Sequence, residues 1–204
     1  ECLVLPANSS GRLIAHGRVA LLFSDPLQDD LSSVTLCSSR AMAARTALIR
    51  GPKEQGVSFL DRVFCELGVV ERTPLRADIC RAARAISVAP ECFDQLARAA
   101  DLAGLSPTRF RHVFVEAVGL TFTRFRQWRR MGAVIRGLAE GRSLTEVAHK
   151  TGFAGSAHLA TAFRAMFGLS PSQLATAQAR FILSPLAAEI RMQGEGCEEP
   201  VLGR

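Results

Sequence analysis

The chain has 204 residues, 48% apolar and 22% charged, which suits one folded domain or two small ones and excludes a disordered chain. It contains no uncharged apolar run of about 18 residues and no basic-plus-apolar leader, so neither a helical membrane span nor a secretion signal is expected. The formal net charge of +6 is uneven: residues 1–75 carry 8 basic and 8 acidic side chains, residues 76–180 carry 15 and 7, and residues 181–204 carry 2 and 4.

Residues 1–52 read as a β-rich segment. CLVLP, RLIAHG and VALLF have strand length and composition, and ANSSG and SDP are turns between them. Gly51-Pro52 breaks the chain. Residues 53–75 read as a helical linker, in which Val57, Leu60, Val63, Phe64 and Leu67 share one face and Gly68 is the stop. Thr73-Pro74 is the expected joint between the halves.

From residue 76 the text turns helical and Ala-rich. Ile79, Ala82, Ala83 and Ile86 form the apolar face of a helix ending near Pro90, and residues 93–102 form a second helix. Ser106 is an N-cap followed by Pro107 at the first helical position, and Gly119 closes that third helix. Residues 121–140 read as one long helix with an apolar face of Phe122, Phe125, Met131, Val134, Ile135 and Leu138. Its internal Gly132 and Gly137 each cost about 1 kcal/mol relative to Ala. After Gly141, Ser143 and Glu146 make a capping-box pattern, Gly152 marks a turn, and helices follow over 156–167 and from Pro171. Residues 181–204 lose periodicity and read as a tail. The expected fold is therefore mainly α, with two helix-turn-helix subdomains joined by a long helix and preceded by the small β-rich segment.

The six cysteines (2, 37, 65, 80, 92 and 197) are scattered with no C-x-x-C spacing, and no His cluster accompanies them. Buried thiols in a reducing cytosol are expected, with no metal and no cofactor, the alternative being a zinc site or a disulfide framework.

One unit occurs twice. Residues 104–121, GLSPTRFRHVFVEAVGLT, are echoed by residues 152–171, GFAGSAHLATAFRAMFGLSP. A helix-turn-helix needs a small residue where its helices cross and a Gly where the turn goes left-handed. Ala100 and Gly104 meet this in the first unit, Ala148 and Gly152 in the second. The anchors pair as Leu96 with Leu144, Leu105 with Phe153, Phe110 with Leu159 and Phe114 with Phe163. The offset moves from 48 to 49 across the turn, so the second turn is one residue longer. A basic middle region predicts a polyanionic partner, and 14 of its 15 basic residues are Arg, whose planar fork suits phosphate and guanine edges.

EGRSLTEVAHKTGFAGSAHLATAFRAMFGLSP, with G-x-S-x-x-E-V-A, G-F, A-F-R and F-G-x-S-P in order, resembles the signature segment of the AraC/XylS transcriptional regulators. The resemblance spans residues 76–180. It implies two helix-turn-helix units, over about 94–118 and 143–167, joined by a linker helix over about 121–140. It further implies that they dock in successive major grooves of double-stranded DNA. A linker of about 18 residues is about 27 Å long, a workable strut for grooves about 34 Å apart. The family often has an aromatic-Arg pair after Ser170-Pro171, where this chain has Leu174-Ala175.

On the first recognition helix Thr108, Arg109, Arg111 and His112 face outward. The resemblance places Thr108, Arg111 and His112 near bases, with Arg111 the candidate for a bidentate guanine contact. Arg109 is expected on phosphate. The second helix presents Ser156, Ala157, His158 and Thr161, with Arg164 further along, which suits phosphate, methyl and shape contacts. Arg124, Arg126, Arg129 and Arg130 of the linker are further candidates for phosphate.

LVLPANSSGRLIAHGRVALLFSDP is similar to the later strands of the cupin-like domains that many AraC-type regulators carry, the earlier strands being expected either upstream of Glu1 or absent. That resemblance implies a small-molecule effector or a homodimer, and family activators also engage RNA polymerase; the expected location is cytoplasmic. No Ser-His-Asp order, paired-carboxylate motif or Gly-rich phosphate loop supports an enzyme. The alternatives are a reactive-Cys sensor or alkyl-transfer regulator, for which Cys37 in TLCSSR has no His beside it, and a helical protein-interaction module.

Overall fold

The structure is a computed structural model, and it describes residues 22, 24–27, 29–30, 34, 37–50 and 57–176. The described residues divide into two compact units, with the division between Thr73 and Pro74.

In the first unit a two-residue strand, β1 (Asp29–Asp30), pairs antiparallel with β2 (Val70–Glu71), Asp29 opposite Glu71 and Asp30 opposite Val70. Between them lie α1 (Ser38–Arg50) and α2 (Val57–Leu67). Phe59, Val63 and Leu67 of α2 bury against Ala44 of α1, flanked by Leu22, Ala47, Leu48, Leu60, Phe64 and Val69. The expected face of α2 omitted Phe59, which is buried. Gly68 ends α2 with φ +77, and the Val69 N–H returns to the Phe64 carbonyl at 2.9 Å.

The β-rich expectation for residues 1–52 needs correction, and a cupin-like sheet is not supported. Residues 38–50 are a helix because Ala41, Ala43, Ala44 and Ala47, with Met42 and Leu48, are strong helix formers. The pattern concealed this because four consecutive residues, 41–44, are apolar and mark no single face. The strands expected over 2–6 and 12–17, and all of 19–23 but Leu22, lie outside the described residues, as does the Gly51-Pro52 break. The expectation of buried thiols is corrected as well. Cys37 and Cys65 are exposed and Cys80 and Cys92 half-buried, all four of them free.

The second unit opens with α3 (Ala77–Val88), whose Ile79, Ala82, Ala83 and Ile86 are fully buried, the predicted face. A single 3₁₀ turn (Pro90–Cys92) leads to α4 (Leu96–Ala103) and α5 (Pro107–Val118). The helix expected over 93–102 thus starts three residues later. The long helix α6 (Phe122–Ala139) follows, then α7 (Leu144–Lys150), α8 (Ser156–Phe167) and the short α9 (Pro171–Thr176).

Helix α6 belongs to two cores. Its first half meets α5 through rings: Phe114 lies 5.4 Å from Phe125 and Phe110 lies 6.4 Å from Phe122, both edge-to-face. Its second half joins Met131 and Val134 to Val147, Ala148, Phe153, Leu159 and Phe163. Each buried Phe contributes about 1.5–3 kcal/mol, so both ends of α6 are anchored by packing. Gly137 permits one of these contacts, since a Cβ there would fall 2.8 Å from Val147 Cγ2.

Candidate nucleic-acid interface

The two repeated segments fold into turns that agree hydrogen bond for hydrogen bond. After α4, Gly104 takes φ +67 and the Leu105 N–H reaches the Ala100 carbonyl at 3.0 Å. After α7, Gly152 takes φ +72 and the Phe153 N–H reaches the Ala148 carbonyl at 2.9 Å. Both patterns satisfy the last carbonyls of the preceding helix through a left-handed Gly. Ala100 and Ala148 are completely buried where the helices cross. The next helix starts three residues after Gly104 but four after Gly152, which is the one-residue lengthening read from the offset.

The starts of α5 and α8 differ. Ser106 caps α5, its side chain accepting the Arg109 N–H at 3.3 Å, with Pro107 in the first turn. The N-cap of α8 is Gly155, which supplies no side chain.

Helical periodicity then divides each helix into an inner and an outer face. On α5, Phe110, Val113 and Phe114 are buried, while Thr108, Arg109, Arg111 and His112 are exposed along its first two turns. Among the described residues neither Arg109 nor Arg111 is held in an ion pair or side-chain hydrogen bond. On α8, Leu159 and Phe163 are buried, Ala157, His158, Thr161 and Arg164 are exposed, and Ser156 is half-buried. The His158 ring sits edge-on to Phe153 at 5.4 Å, and the Thr161 hydroxyl donates to the Ala157 carbonyl at 3.0 Å.

The linker arginines divide. Arg124 is exposed, and the Arg129 guanidinium lies 4.9 Å from the Phe125 ring centre. Arg126 Nε donates to the Pro90 carbonyl at 2.7 Å. Arg130 Nε donates to the Thr151 carbonyl at 2.9 Å, a terminal nitrogen donates to the Gly152 carbonyl, and the guanidinium covers the Phe153 ring at 3.9 Å. These internal roles were not anticipated, because the acceptors are main-chain oxygens with no signature in the sequence.

Among the described residues no group of three or more His, Cys, Asp or Glu is placed to hold a metal ion. No helix there is long and apolar enough to cross a membrane. Cys37 stands just ahead of α1, its Sγ 3.0 Å from the Ser39 hydroxyl. That hydrogen bond, then the Arg40 backbone N–H, holds the thiol below its ordinary range.

Compared with known protein families, residues 99–177 match the one described as a helix-turn-helix domain. That span runs from within α4 through α9 and takes in both Gly turns. Residues 99–177 are an AraC-type helix-turn-helix domain. A domain of the AraC type points to DNA binding and to a transcription regulator. Among solved structures, the C-terminal domain of AraT, a response regulator from Geobacillus stearothermophilus, is similar over 54% of this chain and 92% of its own, at 22% identity and a TM-score of 0.48. No curated protein matches the chain.

Proposed function

We propose that this protein is a sequence-specific transcription regulator in which residues 76–180 form the DNA-binding domain and α5 and α8 enter successive major grooves. The observation that carries the reading is the duplication: two turns with the same hydrogen bonds each lead into a helix with a polar, exposed outer face. Helix α6 contributes to the core of both units, so the two faces are presented on one support. Its 18 residues span about 27 Å, comparable to the advance of about 34 Å per turn of B-DNA.

Within this reading the heads differ in information content. Arg111 is exposed about one turn into α5 and reads guanine through its fork, a contact worth about 1–3 kcal/mol against the wrong base. Thr108 and His112 flank it, and Arg109 holds phosphate. Helix α8 offers small or weak donors, Ser156, Ala157, His158 and Thr161, with Arg164 further along, and contributes methyl, phosphate and shape contacts. Arg124 and Arg129 add phosphate contacts from the linker.

Selection of bound duplexes from a random pool, at two salt concentrations, tests this. The expected product is a bipartite site with half-sites about one helical turn apart. Enrichment of no sequence, together with steep loss of binding in salt, would reduce the protein to a phosphate-binding surface and end the proposal.

A further inference from the structure

Arg126 and Arg130 stand four residues apart and so lie one above the other on α6. Their carbonyl acceptors come from two different places. Arg126 reaches 36 residues back to the turn at Pro90–Cys92, and Arg130 reaches 21 and 22 residues forward to Thr151 and Gly152. The two acceptor segments also touch each other: a Cβ at Gly152 would lie 3.2 Å from Glu91 Cβ and 3.7 Å from a terminal nitrogen of Arg130. Thr151 and Gly152 close α7, so Arg130 meets the negative end of that helix.

The charges fit a fixed arrangement. Burial and the neighbouring Arg126 lower the basicity of Arg130, while Glu91 acts to raise it, and the guanidinium stays charged. Two residues further on, Gly132 lies on the exposed face of α6, with nothing within 4 Å of the position a Cβ would take. A bend of about 15° there, over a half-helix of about 13 Å, moves the second head by about 3.4 Å, one base-pair step.

We infer that Arg126 and Arg130 are positioning residues that lock the second helix-turn-helix unit against the Pro90–Cys92 turn and thereby set the spacing at which paired half-sites are read. The lock rests on the two-headed reading above, and its Pro90–Cys92 side lies ahead of residue 99, where the family match begins.

The test repeats the random-duplex selection with the full chain and with Arg130→Lys and Arg130→Met. The wild type is expected to select one half-site spacing. Both variants are expected to keep the half-site sequences but spread over adjacent spacings, and to lose about 10-fold of the affinity advantage of paired over single sites. Single-site affinity and its salt slope should stay at wild-type values. One unchanged spacing with wild-type paired affinity overturns the inference. So does a salt slope about one lower in Arg130→Met alone, which would make Arg130 a phosphate contact. A wild type that selects no paired site sinks the two-headed reading itself, and the lock with it. Melting curves identify a variant that does not fold, and Arg126→Gln then gives the same spacing readout from the other end.

Discussion

Gly132 and Gly137 lie five residues apart in one helix, and only the first should be stabilised by substitution with Ala. Replacing Gly by Ala in a helix interior gains about 1 kcal/mol, because the unfolded chain loses freedom. At Gly132 nothing lies within 4 Å of the new methyl, so the full gain is expected. At Gly137 the methyl would fall 2.8 Å from Val147 Cγ2 and 3.5 Å from its Cγ1, and Val147 is only 2% exposed. Overpacking of that kind costs about 1–3 kcal/mol, which cancels or exceeds the gain. The two variants should therefore differ by about 1–3 kcal/mol in urea unfolding followed by far-UV circular dichroism. In a unit of this size each kcal/mol moves the thermal midpoint by about 4–8 °C. Combining Gly137→Ala with Val147→Ala removes the clash, and a favourable coupling of about 1–2 kcal/mol is expected from the double-mutant cycle. Equal stabilisation by both Ala variants would refute the close approach of α7 to α6. A destabilising Gly132→Ala would show that α6 is not a continuous helix there.

Ser106→Ala removes the side-chain cap of α5 and should cost about 1 kcal/mol by the same urea assay, whereas Gly155→Ser supplies a cap that α8 lacks and should gain a few tenths. Arg109→Ala should weaken binding to all duplexes alike and reduce the log–log salt slope by about one, while Arg111→Ala should cost about 1–3 kcal/mol and relax the preference at a single guanine position; both are read by fluorescence anisotropy against a panel of substituted sites. The Cys37 thiol is lowered chiefly by the Ser39 hydroxyl, so its thiolate fraction exceeds that of an ordinary thiol at neutral pH. Peptide-resolved alkylation at Cys37 should accordingly slow in Ser39→Ala at neutral pH, and the difference should vanish once the pH exceeds the ordinary thiol range.

Much of the candidate interface was legible because it is built from local rules. The turn at Gly104 closes over six residues, from Ala100 to Leu105, and so does the turn from Ala148 to Phe153. The buried stripe of α3 and the inner faces of α5 and α8 follow from apolar spacing alone. Less local features were missed. Helix α1 carries its apolar residues on too many sides to show a period, and Phe59 is buried because Ala44 and its neighbours cover it, which its own segment does not record.

By itself, then, the sequence determined the duplicated unit, its glycine turns, its Ser106 and Ser143 caps and the outward set on α5 and on α8. Side chains within one or two helical turns of one another decide all of these. Tertiary structure alone decided the division of labour among the linker arginines. Arg126 and Arg130 look like Arg124 in the sequence, yet they bind carbonyls 21–36 residues away. A backbone oxygen is the same in every residue, so only the folded path of the chain can say which arginine it meets. Gly137 follows the same logic: its value lies in the approach of Val147, a neighbour across the helix pair that no local pattern encodes.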